Sequence, residues 1–220
     1  MKTQTIIFAL VTVILVGCGI NNTYDNNTYD DRWPKSEEGQ YVNGKRHGHW
    51  VLQSPNCLTE TGSYVDGKRH GHWVERLGTV QIWGCDSSAF SYLLEGPYVN
   101  GKKHGHWVYR YDDGKVYEGP MVDGKQHGHW VVRHPDGRVD EGHYVYGKPN
   151  GQWVVRLANG DMHEGPLVNG KRHGHWVERL IDGTVLEGLY VNGKQHGHWV
   201  LRLPDGTKQN VTYRDGERIN

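Results

Sequence analysis

Glu118-Gly119-Pro120-Met121-Val122-Asp123-Gly124-Lys125-Gln126-His127-Gly128-His129-Trp130 recurs, with variations, along most of the chain. Its closing tryptophan marks the pitch. Trp50, Trp73, Trp107, Trp130, Trp153, Trp176 and Trp199 stand 23 residues apart in five of six intervals, and 34 apart between Trp73 and Trp107. Six of the tetrads read His-Gly-His-Trp; the fifth reads Asn150-Gly151-Gln152-Trp153. A strict short period means stacked copies of one supersecondary unit, each burying its apolar face against its neighbours. The long interval is one period plus an 11-residue insertion, around residues 78–94.

Asp123-Gly124 is a two-residue turn signal, and Pro135-Asp136-Gly137 is a second. Strands are expected at roughly Val116 to Val122 and Lys125 to Arg133. The same turns recur as Asn100-Gly101 with Asp113-Gly114, and as Asn169-Gly170 with Asp182-Gly183. The predicted fold is therefore all-β, an elongated single-layer antiparallel meander of about seven 23-residue hairpin repeats. About fifteen short strands are expected, the insertion forming a loop.

A type I′ turn at Asp123-Gly124 pairs Gly119 with Gly128 and Glu118 with His129. One face then carries Gly119, Met121, Gly128, Trp130 and Val132, and the other Glu118, His127, His129, Val131 and Arg133. The paired glycines leave room for an indole from a neighbouring repeat. Stacking turns positions into columns. The seven tryptophans form an aromatic spine, packed mostly on itself. Arg110, Arg133, Arg156, Arg179 and Arg202 form a basic row beside the acidic row Glu95, Glu118, Glu141, Glu164 and Glu187. Each exposed pair contributes about 0.2–1 kcal/mol, and together they hold register.

Lys+Arg and Asp+Glu are both 25, so no net field holds nucleic acid or anionic lipid by charge. Residues 1–17 have the pattern of a signal peptide: Lys2, then an apolar run from Ile6 to Val16 too short to span a bilayer. The run ends in Leu15-Val16-Gly17-Cys18, which resembles the bacterial lipobox. That resemblance implies cleavage before Cys18 and lipid attachment there, palmitate included; several acyl chains give durable membrane anchoring. Gly19 after the cysteine resembles outer-membrane sorting in enteric bacteria. A lipid-anchored place at the bacterial cell envelope, on the outer membrane, is expected. Residues 18–36 have the composition of a polar tether, and residues 37–220 that of one repeat domain. In an oxidising compartment Cys57 and Cys85 are expected to pair as a disulfide. Both lie on one edge of the sheet, one repeat apart, roughly 10 Å by strand spacing, a gap the inserted loop can close.

At Glu118-Gly119, Gly124-Lys125 and His127-Gly128 the unit resembles the MORN repeat, whose pattern is Tyr-Glu-Gly, Gly-Lys and His-Gly-x-Gly. The resemblance covers about residues 37–220, with seven units and a half-unit at Tyr213 to Asn220. Trp stands where the family has its last Gly, which is closer to variants of bacterial surface and antitoxin-like proteins. The resemblance implies a single-layer antiparallel sheet serving as an interaction module. Phospholipid binding is claimed for some members, and an enzyme domain accompanies others.

Histidine carries the sharpest chemistry. The i, i+2 pairs His104/His106, His127/His129 and His173/His175, with their equivalents, suit zinc or copper. A site would need a carboxylate besides, such as Glu118 beside His127 and His129. The first histidine of each pair is also MORN consensus, so no metal and no cofactor is assigned. No repeated Ser lies beside a His, and Gly-Lys is a turn pair rather than a phosphate loop, so no catalytic residue is assigned. The reading is a non-enzymatic protein-interaction scaffold with a protein partner at the envelope and no nucleic acid. The alternatives are a histidine-rich metal-binding envelope protein and a lipid- or glycan-binding module. Open edge strands also allow self-association.

Overall fold

A computed structural model describes residues 36–54, 57–81 and 84–219, without the side chains of 36 and 79–90. Among the described residues nineteen strands form one antiparallel sheet, a meander in which strands pair with their sequence neighbours. Each unit begins from its turn. Asp123 and Gly124 have φ of 49° and 81°, the type I′ geometry that Asx-Gly accommodates without strain. The turn glycine then ties its unit to the one before: Gly124 N–H donates to the Lys103 carbonyl, and Gly147 N–H to that of Gln126, both at 2.8 Å.

The pairing register differs from the one expected. Met121 faces Gln126 and Val122 faces Lys125, as a simple hairpin requires. Beyond them Glu118 faces Val131 and Tyr117 faces Val132, two residues further along. The extra residues are His127 and Gly128, a bulge made possible by Gly128 at φ 95°. A shift of two preserves the alternation of faces, so the side chains sort as read while their partners change. Gly119 thereby lies against Trp130 of its own hairpin, not against Gly128. A Cβ on Gly119 would stand 2.5 Å from Trp130 Cδ2, and one on Gly142 would stand 2.4 Å from Trp153 Cδ2. The glycine 11 residues before each tryptophan is the floor on which that indole lies.

Proline explains why three second strands are divided. They break at His104, His127 and His173, giving Lys102–Lys103 and Gly105–Tyr111 in the first case. These are the units with Pro97, Pro120 and Pro166 opposite the bulge. His127 N–H still donates to the Pro120 carbonyl at 3.0 Å, but proline has no N–H to return. The free side of that carbonyl takes the indole: Trp130 Nε1–H donates to Pro120 O at 2.8 Å, and Trp107 Nε1–H to Pro97 O at 2.9 Å.

The insertion is strand rather than loop. Lys68–Gln81 and Gly84–Val99 run as one long hairpin, with Val80 facing Cys85 and Gln81 facing Gly84. The added residues divide between the two arms, so ladder hydrogen bonds extend where a loop would leave backbone groups unpaired.

Candidate interaction surfaces

The tryptophan face is a packed layer. The seven spine indoles are 0–3% exposed. From Tyr41 through Trp50, Tyr64, Trp73 and Tyr98 to Trp107, successive ring centroids lie 5.0–6.0 Å apart at 76–87°. Each such edge-to-face contact contributes about 0.5–1.5 kcal/mol beyond burial. Met121 takes the tyrosine place between Trp107 and Trp130, and Tyr109 bridges both rings at 6.0 Å instead. Leu167 takes that place between Trp153 and Trp176 in a separate buried cluster.

Cations close the layer from outside. The Arg69 guanidinium lies 4.3 Å from the Trp73 centroid, Lys103 Nζ 4.1 Å from Trp107, and the Arg172 guanidinium 4.2 Å from Trp176. Burial pulls the Lys103 ammonium down from its ordinary value, against the nearby charge of Glu75. Gln126, Pro149 and Gln195 hold the corresponding places before Trp130, Trp153 and Trp199, and among the described residues no cation lies over these three indoles.

Beside the spine runs a row of half-buried polar clusters that the repeat pattern did not reveal. Arg69 bridges Glu60 at 2.7 Å and Glu75 at 2.8 Å, and Tyr98 OH donates to Glu75 at 2.8 Å. Burial pushes the Tyr98 phenol up, and the charge on Glu75 adds to the shift. Asp140, 4% exposed, accepts two hydrogen bonds from Arg138 at 2.9 and 2.7 Å and lies 3.0 Å from His134 Nε2. His163 is 3% exposed, and its Nδ1 has no hydrogen-bond partner, lying 4.0 Å from Glu178. Burial holds its imidazole below the ordinary value. The one sign in the sequence was a column that does not repeat: the equivalents of His163 are Glu37, Glu60, Leu94, Tyr117, Asp140 and Leu186.

On the opposite face the expected charge ladder is present. Arg110 pairs with Glu95, Arg133 with Glu118, Arg156 with Glu141 and Arg202 with Glu187, and Arg179 lies 3.2 Å from Glu164.

The histidine pairs divide. The second of each is exposed beside the ladder, His129 lying 3.8 Å from Glu141 and His175 3.8 Å from Glu187. In the fourth, sixth and seventh units the first reaches the next turn: the His127 ring is 5.0 Å from Tyr146, Asn192 N–H donates to His173 Nδ1 at 3.5 Å, and His196 lies 3.6 Å from Asp215. His104 and His106 are both exposed. The expected grouping of His127, His129 and Glu118 does not form, because the bulge moves Glu118 opposite Val131. Among the described residues no group of three or more His, Cys, Asp and Glu side chains converges to hold a metal ion.

Cys57 is buried, its carbonyl accepting from Gly78 N–H at 3.0 Å at the base of the long hairpin that carries Cys85. The Cys85 side chain, Cys18, the signal peptide and the tether up to residue 35 lie outside the described residues. Among the described residues no helix is long and apolar enough to cross a membrane.

A family model described as MORN repeat matches residues 38–56, 61–72, 95–116, 141–162, 163–185 and 187–208, more than half of the chain. Residues between the third and fourth segments fall outside the match, yet Gly119 and Trp130 are placed there as in the matched units. No curated protein matches the chain. Among solved structures it is similar to the TCP domain of SAS-4 (dCPAP) of Drosophila melanogaster, solved in complex with a proline-rich motif of Ana2 (dSTIL). That likeness has 17% identity and a TM-score of 0.41, covering 83% of this chain and 99% of that one. It is also similar to BamB from Moraxella catarrhalis, at 9% identity and a TM-score of 0.19, covering 84% of this chain and 89% of that one.

Proposed function

The chain belongs to the MORN repeat family, and from that premise we propose a non-enzymatic scaffold that presents repeated columns to a protein partner at the bacterial cell envelope. The observation that carries this reading is the burial of the spine within its own layer, at 0–3% exposure for every spine indole. A sheet that seals its aromatic face needs no second layer, so its charge ladder, turns and polar row are left for recognition. The matched family is an interaction repeat and points to no catalytic class. The metal-binding alternative has less support, since His127, His173 and His196 lie against a neighbouring turn and no third ligand converges on a pair among the described residues. An aromatic face open to lipid or glycan has less support for the same reason as the spine.

Leu15-Val16-Gly17-Cys18 supports placement on a lipid anchor at Cys18, with residues 19–35 as tether and the outer membrane as destination. Incorporation of a palmitate analogue, lost in Cys18→Ser, is the expected outcome; labelling that survives the substitution removes the anchor. A Cys57–Cys85 disulfide would join the base of the long hairpin to its own arm. Closing that loop would stabilise by roughly 3 kcal/mol, read as a lower melting temperature after reduction.

The scaffold reading is tested by capture from envelope extract on the tagged chain, with and without chelator. One envelope protein recovered under both conditions is the expected result. Recovery only without chelator would move the assignment to the histidine columns, and recovery of nothing would overturn the scaffold.

A further inference from the structure

The two rows of cations on this sheet differ in what neutralises them. Every arginine of the ladder from Arg110 to Arg202 is paired with a glutamate of its own hairpin. The lysine that follows each turn glycine, from Lys45 in the first unit to Lys194 in the seventh, is exposed. Among the described residues none of these seven lysines takes part in an ion pair. Three of the turns on this edge carry an aspartate, Asp66, Asp123 and Asp215, so the seven lysines leave an excess of positive charge along one edge of the sheet. Each lysine faces a valine across its turn, as Val145 faces Lys148 and Val168 faces Lys171, and those two valines are 42% and 44% exposed.

One turn in the middle of this edge breaks the pattern. Seven of the eight turns place Asn or Asp at the first left-handed position; the fifth unit places Tyr146 there, at φ 48°. A tyrosine in that conformation is strained where Asn or Asp is not. Its ring is 65% exposed, the second most exposed large hydrophobic side chain described. The ring meets His127 of the preceding unit at 5.0 Å, yet the residue stays largely exposed in its strained conformation, which points to a further contact outside the chain.

We infer that this edge binds a linear anionic polysaccharide, with carboxylates on the lysine row and one sugar ring stacked on Tyr146. Two strands per unit put successive lysines about 10 Å apart, somewhat more where twist carries the edge around the sheet axis. A β-linked disaccharide repeats at much the same distance, so a polymer with one carboxylate per disaccharide meets one lysine per unit. Nucleic acid carries its phosphates far more densely and calls for a matching density of cations. A bilayer presents a plane of headgroups, whereas these lysines form a line. At about 8 Å screening length each contact acts nearly alone and is weak, so affinity accumulates through the number of units engaged. The lysine edge shares its turns with the surface left open to a protein partner, but the inference rests on the lysine row and Tyr146 and not on that partner.

The test titrates the detergent-purified full chain with hyaluronan oligomers of increasing length, beside neutral dextran, oligo-dT and anionic vesicles. Hyaluronan is expected to bind more tightly with each added disaccharide up to about seven, and to be released by salt. Combined Lys125→Gln, Lys148→Gln and Lys171→Gln is expected to weaken binding about tenfold or more without lowering the melting temperature. Tyr146→Asn restores the residue type of the other turns, so it is expected to weaken binding while leaving stability equal or higher. No hyaluronan binding, equal binding of dextran, stronger binding of oligo-dT or vesicles, or affinity indifferent to the lysine substitutions would each overturn the inference.

Discussion

The fourth hairpin, Val116 to Arg133, and the fifth, Val139 to Arg156, follow one plan and differ where it meets solvent. Both keep the glycine beneath the indole, as Gly119 under Trp130 and Gly142 under Trp153. Both place a left-handed glycine in the bulge, Gly128 at φ 95° and Gly151 at φ 84°. In both the indole N–H donates to the carbonyl ten residues before it, at 2.8 Å from Trp130 and 3.2 Å from Trp153. The fifth unit nonetheless replaces both histidines by Asn150 and Gln152, puts Tyr146 in the turn, and has Pro149 where a cation or glutamine stands elsewhere. The hairpin therefore depends on glycine, tryptophan and the bulge, and the histidines are surface variation laid over it.

The largest test of that comparison removes an indole from either unit. Trp130→Ala and Trp153→Ala are each expected to cost about 3–5 kcal/mol, read by chemical denaturation, since both rings are buried to within 3%. Unequal losses, with Trp153 the lesser, would mean that the fifth unit is held by something other than its spine.

A smaller effect concerns His163, which lies one strand beyond the fifth unit, facing Val155, with Glu178, Arg172 and Asp161 as its charged neighbours. Burial lowers its folded value, so the unfolded chain takes the proton first. Its contribution is present above the ordinary imidazole value of about 6.5 and is lost as pH falls through that value toward the lower folded one. His163→Leu, the residue at the equivalent positions 94 and 186, is expected to melt alike at pH 8. On acidification a gap should open in favour of the variant. A pH profile parallel to the parent would show that this imidazole titrates freely.

The smallest effect sharpens the comparison most. His127→Asn with His129→Gln converts the fourth tetrad to the fifth and is expected to change stability by no more than about 0.5 kcal/mol per site. A loss several times larger, by the same denaturation measurement, would return the histidines to the structural core of the repeat.

The turns are legible in the sequence because Asx-Gly leaves few backbone options, and the faces because alternation survives any even shift. That same tolerance hides the register. A bulge of two residues at His127-Gly128 moves Glu118 from His129 to Val131 without changing a single inside-outside assignment. Period alone therefore does not separate the two pairings, and the metal grouping built on the simpler one fails. The long hairpin is illegible for a different reason: its extra residues divide between two arms, which resembles a loop when only the tryptophan spacing is counted. The clusters around Asp140 and His163 have no repeat signature at all. They sit in columns that do not repeat, visible as chemistry only once the turn before the strand Val139–Val145 brings Arg138 and His134 to Asp140 and the next strand brings Glu178 to His163.

The central claim is that each indole lies on the glycine of its own hairpin, and a double-mutant cycle on Gly142 and Trp153 tests it most directly. Gly142→Ala puts a Cβ 2.4 Å from the indole and is expected to cost about 3 kcal/mol or more in the parent. In a Trp153→Ala background the same substitution should cost nothing, or stabilise slightly as glycine leaves a strand interior. Coupling of about 2 kcal/mol or more is the predicted result; additive losses at the two positions would contradict the account.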